Sequence, residues 1–199
     1  MILATAFPEV NAVIESARAL GSRRLDDGTE LIGHVPHVAP EAWLHILFPA
    51  LTPEEIRQVE AEIGRPLGPT FSSVLAMHNG LSLFSDSLYI YGHRKSVRRT
   101  GAAVRQPFSI RTPNTLERPK DAAPSHLFVG GYESDGSHLY IDLRDSRVCR
   151  CTRRSAAPLN AWDDFFGMLN SEARRLATLF DSQGRRTASL EALAPAPKA

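Results

Sequence analysis

Between Leu127 and Thr152 the chain carries three short apolar stretches, separated by turns tight enough to dictate how those stretches pair. Leu127-Phe-Val129 opens the series, Ser134-Asp-Gly-Ser137 reverses it, and His138 to Leu143 returns. Arg144-Asp-Ser146 reverses the chain again before Arg147 to Thr152. Asp135-Gly136 tolerates the positive φ angles that tight hairpins require. Connections this short join antiparallel neighbours, because a parallel pair needs a crossover of a dozen residues or more. Leu88-Tyr-Ile-Tyr91, β-branched and aromatic and closed by Gly92, reads as a further strand. The expected fold class is therefore α+β, with a mostly antiparallel central sheet and helices packed around it.

The helices are read from caps and apolar spacing. Residues 8 to 20 form a first helix, with Pro8 at its start, Glu9 favourable to the dipole, and Val10, Val13, Ile14 and Ala17 on one face. Gly21 ends it. The stretch from Ser22 to Pro40 is expected to be a loop, with at most a short strand near Leu31-Ile32. Pro40-Glu41 then opens a short helix carrying Trp43, Leu44 and Leu47, which Pro49 stops. The clearest start signal is Thr52-Pro53-Glu54-Glu55, in which Thr52 caps the free amides and Glu55 reaches back to the cap amide. Ile56, Val59 and Ile63 follow on one face, and Gly64 closes this helix. Another helix begins at Pro69 with Phe71, Val74 and Leu75 inward, ended by the left-handed turn of Asn79-Gly80. Asn160 is expected to cap a long closing helix with Trp162, Phe165, Phe166, Leu169, Ala173, Leu176 and Phe180 on its stripe. Beyond Asp181 the chain turns polar and then Ala/Pro-rich, and is expected to be loose.

Composition excludes several classes. With 43% hydrophobic residues and a net charge of +1 the chain is neither disordered nor extreme in charge. No apolar run approaches the roughly 20 residues of a membrane-crossing helix. The start lacks the basic and apolar regions of a secretory signal. Two cysteines, Cys149 and Cys151, sit two apart on one strand and provide no disulfide framework, so a reducing cytoplasm is expected.

The small net charge hides an asymmetry. Up to Glu62 there are ten acidic residues against four arginines, whereas Gly92 to Lys120 holds eight basic residues against Glu117 alone. That basic segment can be a solvated loop balanced by the acidic N-terminal third, or it can grip an acidic surface. Within it, Arg94, Lys95, Arg98, Arg99 and Arg105 lie in a connection too long for a simple hairpin. Such loops are frequent contact sites, and arginine pairs well with carboxylates. These five residues are the candidate partner-binding set. The absence of interleaved aromatics argues against nucleic acid.

Reaction centres are harder to find. There is no nucleophile elbow, phosphate-cradling loop with lysine, or zinc-protease helix. The Gly130 to Gly136 run enters a hairpin, so its glycines are ascribed to turn geometry. Asp135, Ser137 and His138 hold the letters of a catalytic triad but are neighbours in a turn. His34 and His37 lack the further ligands a metal needs. Cys149 and Cys151 read as small buried hydrophobes, and Glu60 and Glu62 as solvated surface. No catalytic residue, metal ligand, cofactor or small-molecule substrate is expected.

One stretch carries a family signature. Leu51-Thr-Pro-Glu-Glu-Ile, Val59-Glu-Ala-Glu-Ile-Gly64, Leu67-Gly-Pro-Thr-Phe71, Val74-Leu75 and Asn79-Gly80 together resemble the opening of the SUKH superfamily. That superfamily includes the yeast Smi/Knr cell-wall assembly regulator and many bacterial immunity proteins. Gly68 stands where the family usually has a proline, and Thr70 where an acidic residue is common. Leu88 to Gly92, Gly131 to Ser137 and Tyr140 to Leu143 also look like the family's central strands, and the helix from Trp162 like its closing helix. The resemblance covers roughly residues 40–180, leaving 1–39 as an N-terminal helical extension and loop and 181–199 as a flexible tail. It implies a single non-catalytic domain that binds a protein, most often as the cytoplasmic antidote to a secreted or contact-delivered toxin. The alternative it implies is a regulatory scaffold without a toxin partner.

Overall fold

In the computed structural model, which describes residues 5–96 and 105–197, nine strands form one antiparallel sheet. Each strand pairs with its neighbours in sequence. The α+β class and the antiparallel meander are as expected. The strands are β1 (Ser22–Arg24), β2 (Glu30–His34), β3 (Trp43–Leu47), β4 (Leu81–Leu83), β5 (Leu88–Ile90), β6 (His126–Gly131), β7 (His138–Asp142), β8 (Val148–Cys151) and β9 (Pro158–Trp162). The main helices are α1 (Pro8–Ala17), α2 (Pro53–Ile63), α3 (Gly68–Leu75) and α4 (Phe165–Ala177).

Local signals explain the helices. Thr52 accepts a hydrogen bond from the Glu55 amide, and the Glu55 carboxylate accepts one from the Thr52 amide, so both halves of the capping box form. Gly64 ends α2 in the left-handed conformation. α1, α3 and α4 meet through Phe7, Phe71 and Phe165, whose rings pack edge to face with centroids 5.8 to 6.3 Å apart. One hydrophobic core runs from α1 through the sheet to α4. No helix among the described residues is long and apolar enough to cross a membrane.

Four expectations are corrected. Residues 22–40 hold a β-hairpin, since β1 and β2 pair through Ser22↔Ile32 and Arg24↔Glu30. The segment with Trp43, Leu44 and Leu47 is strand β3, because pairing with both β2 and β4 satisfies its backbone where a five-residue helix could not. Residues 22–34 are thus part of the same sheet, and α1 packs into the same core through Val10, Ile14 and Ala17. Asn160 and Trp162 belong to β9, and Asp164 caps α4 by accepting from the Gly167 amide at 2.7 Å. Phe165 and Leu169 are fully buried, while Trp162 and Phe166 are only partly so. The C-terminal run is no loose tail through residue 197: Leu193 and Ala194 are buried against the domain.

Two smaller departures bear on the site. α3 ends at Leu75 with a right-handed cap at Ala76, so Asn79-Gly80 does not terminate it. The Gly130 pair also has a reason other than turn geometry. Gly130 lies within β6 beside a bulge, and a Cβ there would overlap the Tyr89 carbonyl oxygen.

Candidate functional site: a basic cleft at the connection from β5 to β6

The connection from β5 to β6 starts by extending the sheet. Gly92 bridges to Ser109 in parallel, donating to the Phe108 carbonyl and accepting from the Ile110 amide. The next residue is clasped by a side chain, since Asn79 accepts from the His93 amide at 2.5 Å and donates to the His93 carbonyl at 2.9 Å. Asn79 therefore behaves as a strand neighbour, which is its role here in place of capping α3. Gln106 then closes the two stalks: its oxygen accepts from the Ser96 amide at 2.9 Å and its nitrogen donates to the Ser96 carbonyl at 3.0 Å.

This base carries three of the run's described basic residues, Arg94, Lys95 and Arg105. Lys95 pairs with Glu55, the same carboxylate that completes the capping box of α2. The Lys95 ammonium, with help from the Thr52 amide, pulls the Glu55 carboxyl down to about 2. The His93 ring is nearly buried, with Nε2 3.4 Å from Glu62, while its Nδ1 has no hydrogen-bond partner. Arg105 donates to the Glu41 carbonyl at 2.7 Å, and Arg94 donates through Nε to the Ser96 carbonyl at 3.1 Å. Arg98 and Arg99 lie outside the described residues. Of the five expected contact residues, the structure thus gathers Arg94, Lys95 and Arg105 at one base.

Three clefts open around it. One of about 240 Å³ lies between the β1–β2 turn and the base, lined by Asp27, Lys95 and Arg105 among others. A second, of about 350 Å³, runs along Ser82, Asp86, Arg94 and Arg105 to Phe108. A third, of about 370 Å³, holds Glu62, His93, Arg94, Arg111 and Leu116. They join through shared walls, Arg105 between the first two and Arg94 between the last two. Large apolar side chains stand at the edge: Leu116 is 71% exposed and Phe108 38%. Phe108 also stacks on Tyr89 with centroids 4.1 Å apart, so its position is fixed. Sequence reasoning counted Arg111 in the basic run but missed Phe108, Leu116 and His93 as wall residues. The missing signal was the Gly92–Ser109 bridge, which depends on a contact across the whole connection.

Not all of the basic run serves this surface. Arg118 lies over the Phe128 ring at 5.4 Å and donates to the His126 and Ala123 carbonyls, so it is a packing residue. The other singled-out residues are placed just as plainly. Ser137 accepts from Arg150, Asp135 pairs with Arg150, and His138 faces the Tyr91 hydroxyl at 2.9 Å, so the three do not form a triad. Cys151 is the cross-strand partner of His138. Burial pushes its thiol up to about 12 and lowers His138, so the site favours the neutral form of both groups. His34 lies near the Pro40 carbonyl and packs on the Trp43 ring at a tilt, with centroids 4.8 Å apart. Among the described residues no three His, Cys, Asp or Glu side chains gather as a metal site. Glu60 accepts from the Leu67 amide at 2.9 Å and so has a structural task.

No protein-family model matches this chain, and comparison with curated proteins finds no match.

Proposed function

We propose that this chain is a non-catalytic, cytoplasmic protein-binding module of the SUKH type. In this reading it is an immunity protein that neutralises a secreted or contact-delivered toxin domain, held at the basic cleft. The observation that carries the reading is the exposed apolar pair Phe108 and Leu116 beside Arg94 and Arg111. Protein interfaces combine arginine with a few apolar anchors in this way. Charge would steer an acidic partner inward and the apolar pair would hold it.

The experiment captures the partner with the tagged full chain in its native cell, identifies it, and measures association by surface plasmon resonance. Arg94→Glu with Arg111→Glu should slow association about tenfold at low salt and less at physiological salt. Leu116→Ala should mainly speed dissociation. An association rate unchanged by the double reversal at every salt concentration places the contact elsewhere. A captured partner with no toxin activity overturns the immunity reading.

A further inference from the structure

The C-terminal run is held through its backbone. Arg175 of α4 donates to the carbonyls of Ala192 and Leu193, both at 2.7 Å. Arg150 of β8 donates to the Pro195 carbonyl at 2.8 Å, and Asn160 of β9 to the Ala196 carbonyl at 2.7 Å. Four carbonyls within residues 192–196 therefore end on three side chains of the domain. The run passes through a single 3-10 turn at Glu191–Leu193 and is extended from Ala194, and it buries Leu193 and Ala194.

Other contacts hold the donors in place. Arg150, with 4% of its side chain exposed, pairs with Asp135 and donates to Ser137 and Asn160 at 2.9 Å. It also lies over the Tyr132 ring at 5.7 Å. Arg175 is oriented by Glu172, which itself accepts from the Tyr132 hydroxyl at 2.8 Å. A fixed row of donors facing main-chain carbonyls, with one apolar socket, is how extended peptides are recognised with little regard to sequence. Small residues and proline suit it, because they keep the chain extended and let it approach closely.

We infer that Arg150, Asn160 and Arg175 form a peptide-binding groove for a partner protein's segment of small residues and proline, with one leucine, that passes from a single helical turn at Arg175 into extended chain at Arg150 and Asn160. Residues 192–196 are its intramolecular ligand. The groove shares no residue with the basic cleft and does not depend on the function proposed there. A tethered segment competes at an effective concentration of about millimolar, so a partner's segment enters only when the tail is out.

The test uses the full chain carrying Leu193→Asp, which removes the tail's buried anchor and leaves the groove side chains intact. A fluorescein-labelled peptide of residues 189–197 is the probe, read by fluorescence anisotropy, with limited proteolysis of the tail reporting its release. The variant should bind the peptide at least tenfold more tightly than the unaltered chain, and adding Arg175→Met should remove the gain. A folded variant with a released tail and no gain in binding overturns the inference. Should Leu193→Asp fail to fold, Leu193→Ala carries the same comparison. A tail that stays protected after loss of its anchor also overturns it, because an intramolecular ligand must be releasable.

Discussion

The described parts of the basic connection, 92–96 and 105–110, touch the sheet only through the Gly92–Ser109 bridge, and the C-terminal run at 191–197 holds none of its nine strands, yet opposite chemistry holds the two segments. In the first, charged side chains of the segment reach back to the domain: Lys95 to Glu55, Arg105 to the Glu41 carbonyl. In the second, charged side chains of the domain reach out to the segment's backbone, Arg150 and Arg175 taking carbonyls from a run of alanine, leucine and proline. A charged sequence advertises its interactions, whereas a bland one still presents a carbonyl at every residue. The difference also separates solvated pairs, which contribute little, from a desolvated network, whose loss is costly.

The largest effect should therefore come from the network. Arg150→Ala leaves Asn160, Ser137 and the Pro195 carbonyl without a donor and should cost about 3 kcal/mol of stability by denaturant unfolding. A loss below about 1 kcal/mol would mean that Arg175, Asn160 and Leu193 hold the run without Arg150. Thr52→Ala should come next, at about 1 kcal/mol, because it removes one half of the α2 capping box.

Lys95 sharpens the comparison through pH. Its pairing lowers the Glu55 carboxyl to about 2, below the unfolded value near 4.5. A depressed acid contributes stability above its unfolded pKa and loses it as pH falls toward the folded pKa. The stability gap between the unaltered chain and Lys95→Met should thus be full above about pH 5 and close as pH falls toward 2. Because Lys95 is well exposed, the gap at neutral pH should stay below about 1 kcal/mol. A gap that persists at pH 2 would assign the effect to packing of the lysine stem.

What was legible in the sequence follows the range of the interaction. The α2 capping box lies within four residues, and the β6–β7–β8 meander is set by short turns, so both could be read directly. Strand β3 was misread because Trp43, Leu44 and Leu47 satisfy a helical spacing as well as a strand, and a short apolar run between prolines does not separate the two. Its partners β2 and β4 decide it. Asn160 has the chemistry of a cap, but Asp164 took that role and freed Asn160 to bind Arg150 and the tail. At the cleft, the basic residues were visible and their tethers were not. Glu55 joins the cap of α2 to Lys95 40 positions on, and no local pattern encodes that pairing.

The smallest effect on stability should come from Arg111, and it is the most direct attempt to break the comparison. Arg111 is exposed and has no ion-pair partner among the described residues, although it walls the cleft beside Glu62 and Leu116. Arg111→Glu removes no tether and faces Glu62 only across solvent, where screening weakens repulsion. Thermal unfolding should therefore shift stability by no more than about 0.5 kcal/mol. A loss above about 1 kcal/mol would show that Arg111, like Arg118, is spent on holding the connection in place. The cleft would then lose the one described cation that folding leaves uncommitted, and with it the charge best placed to meet a partner.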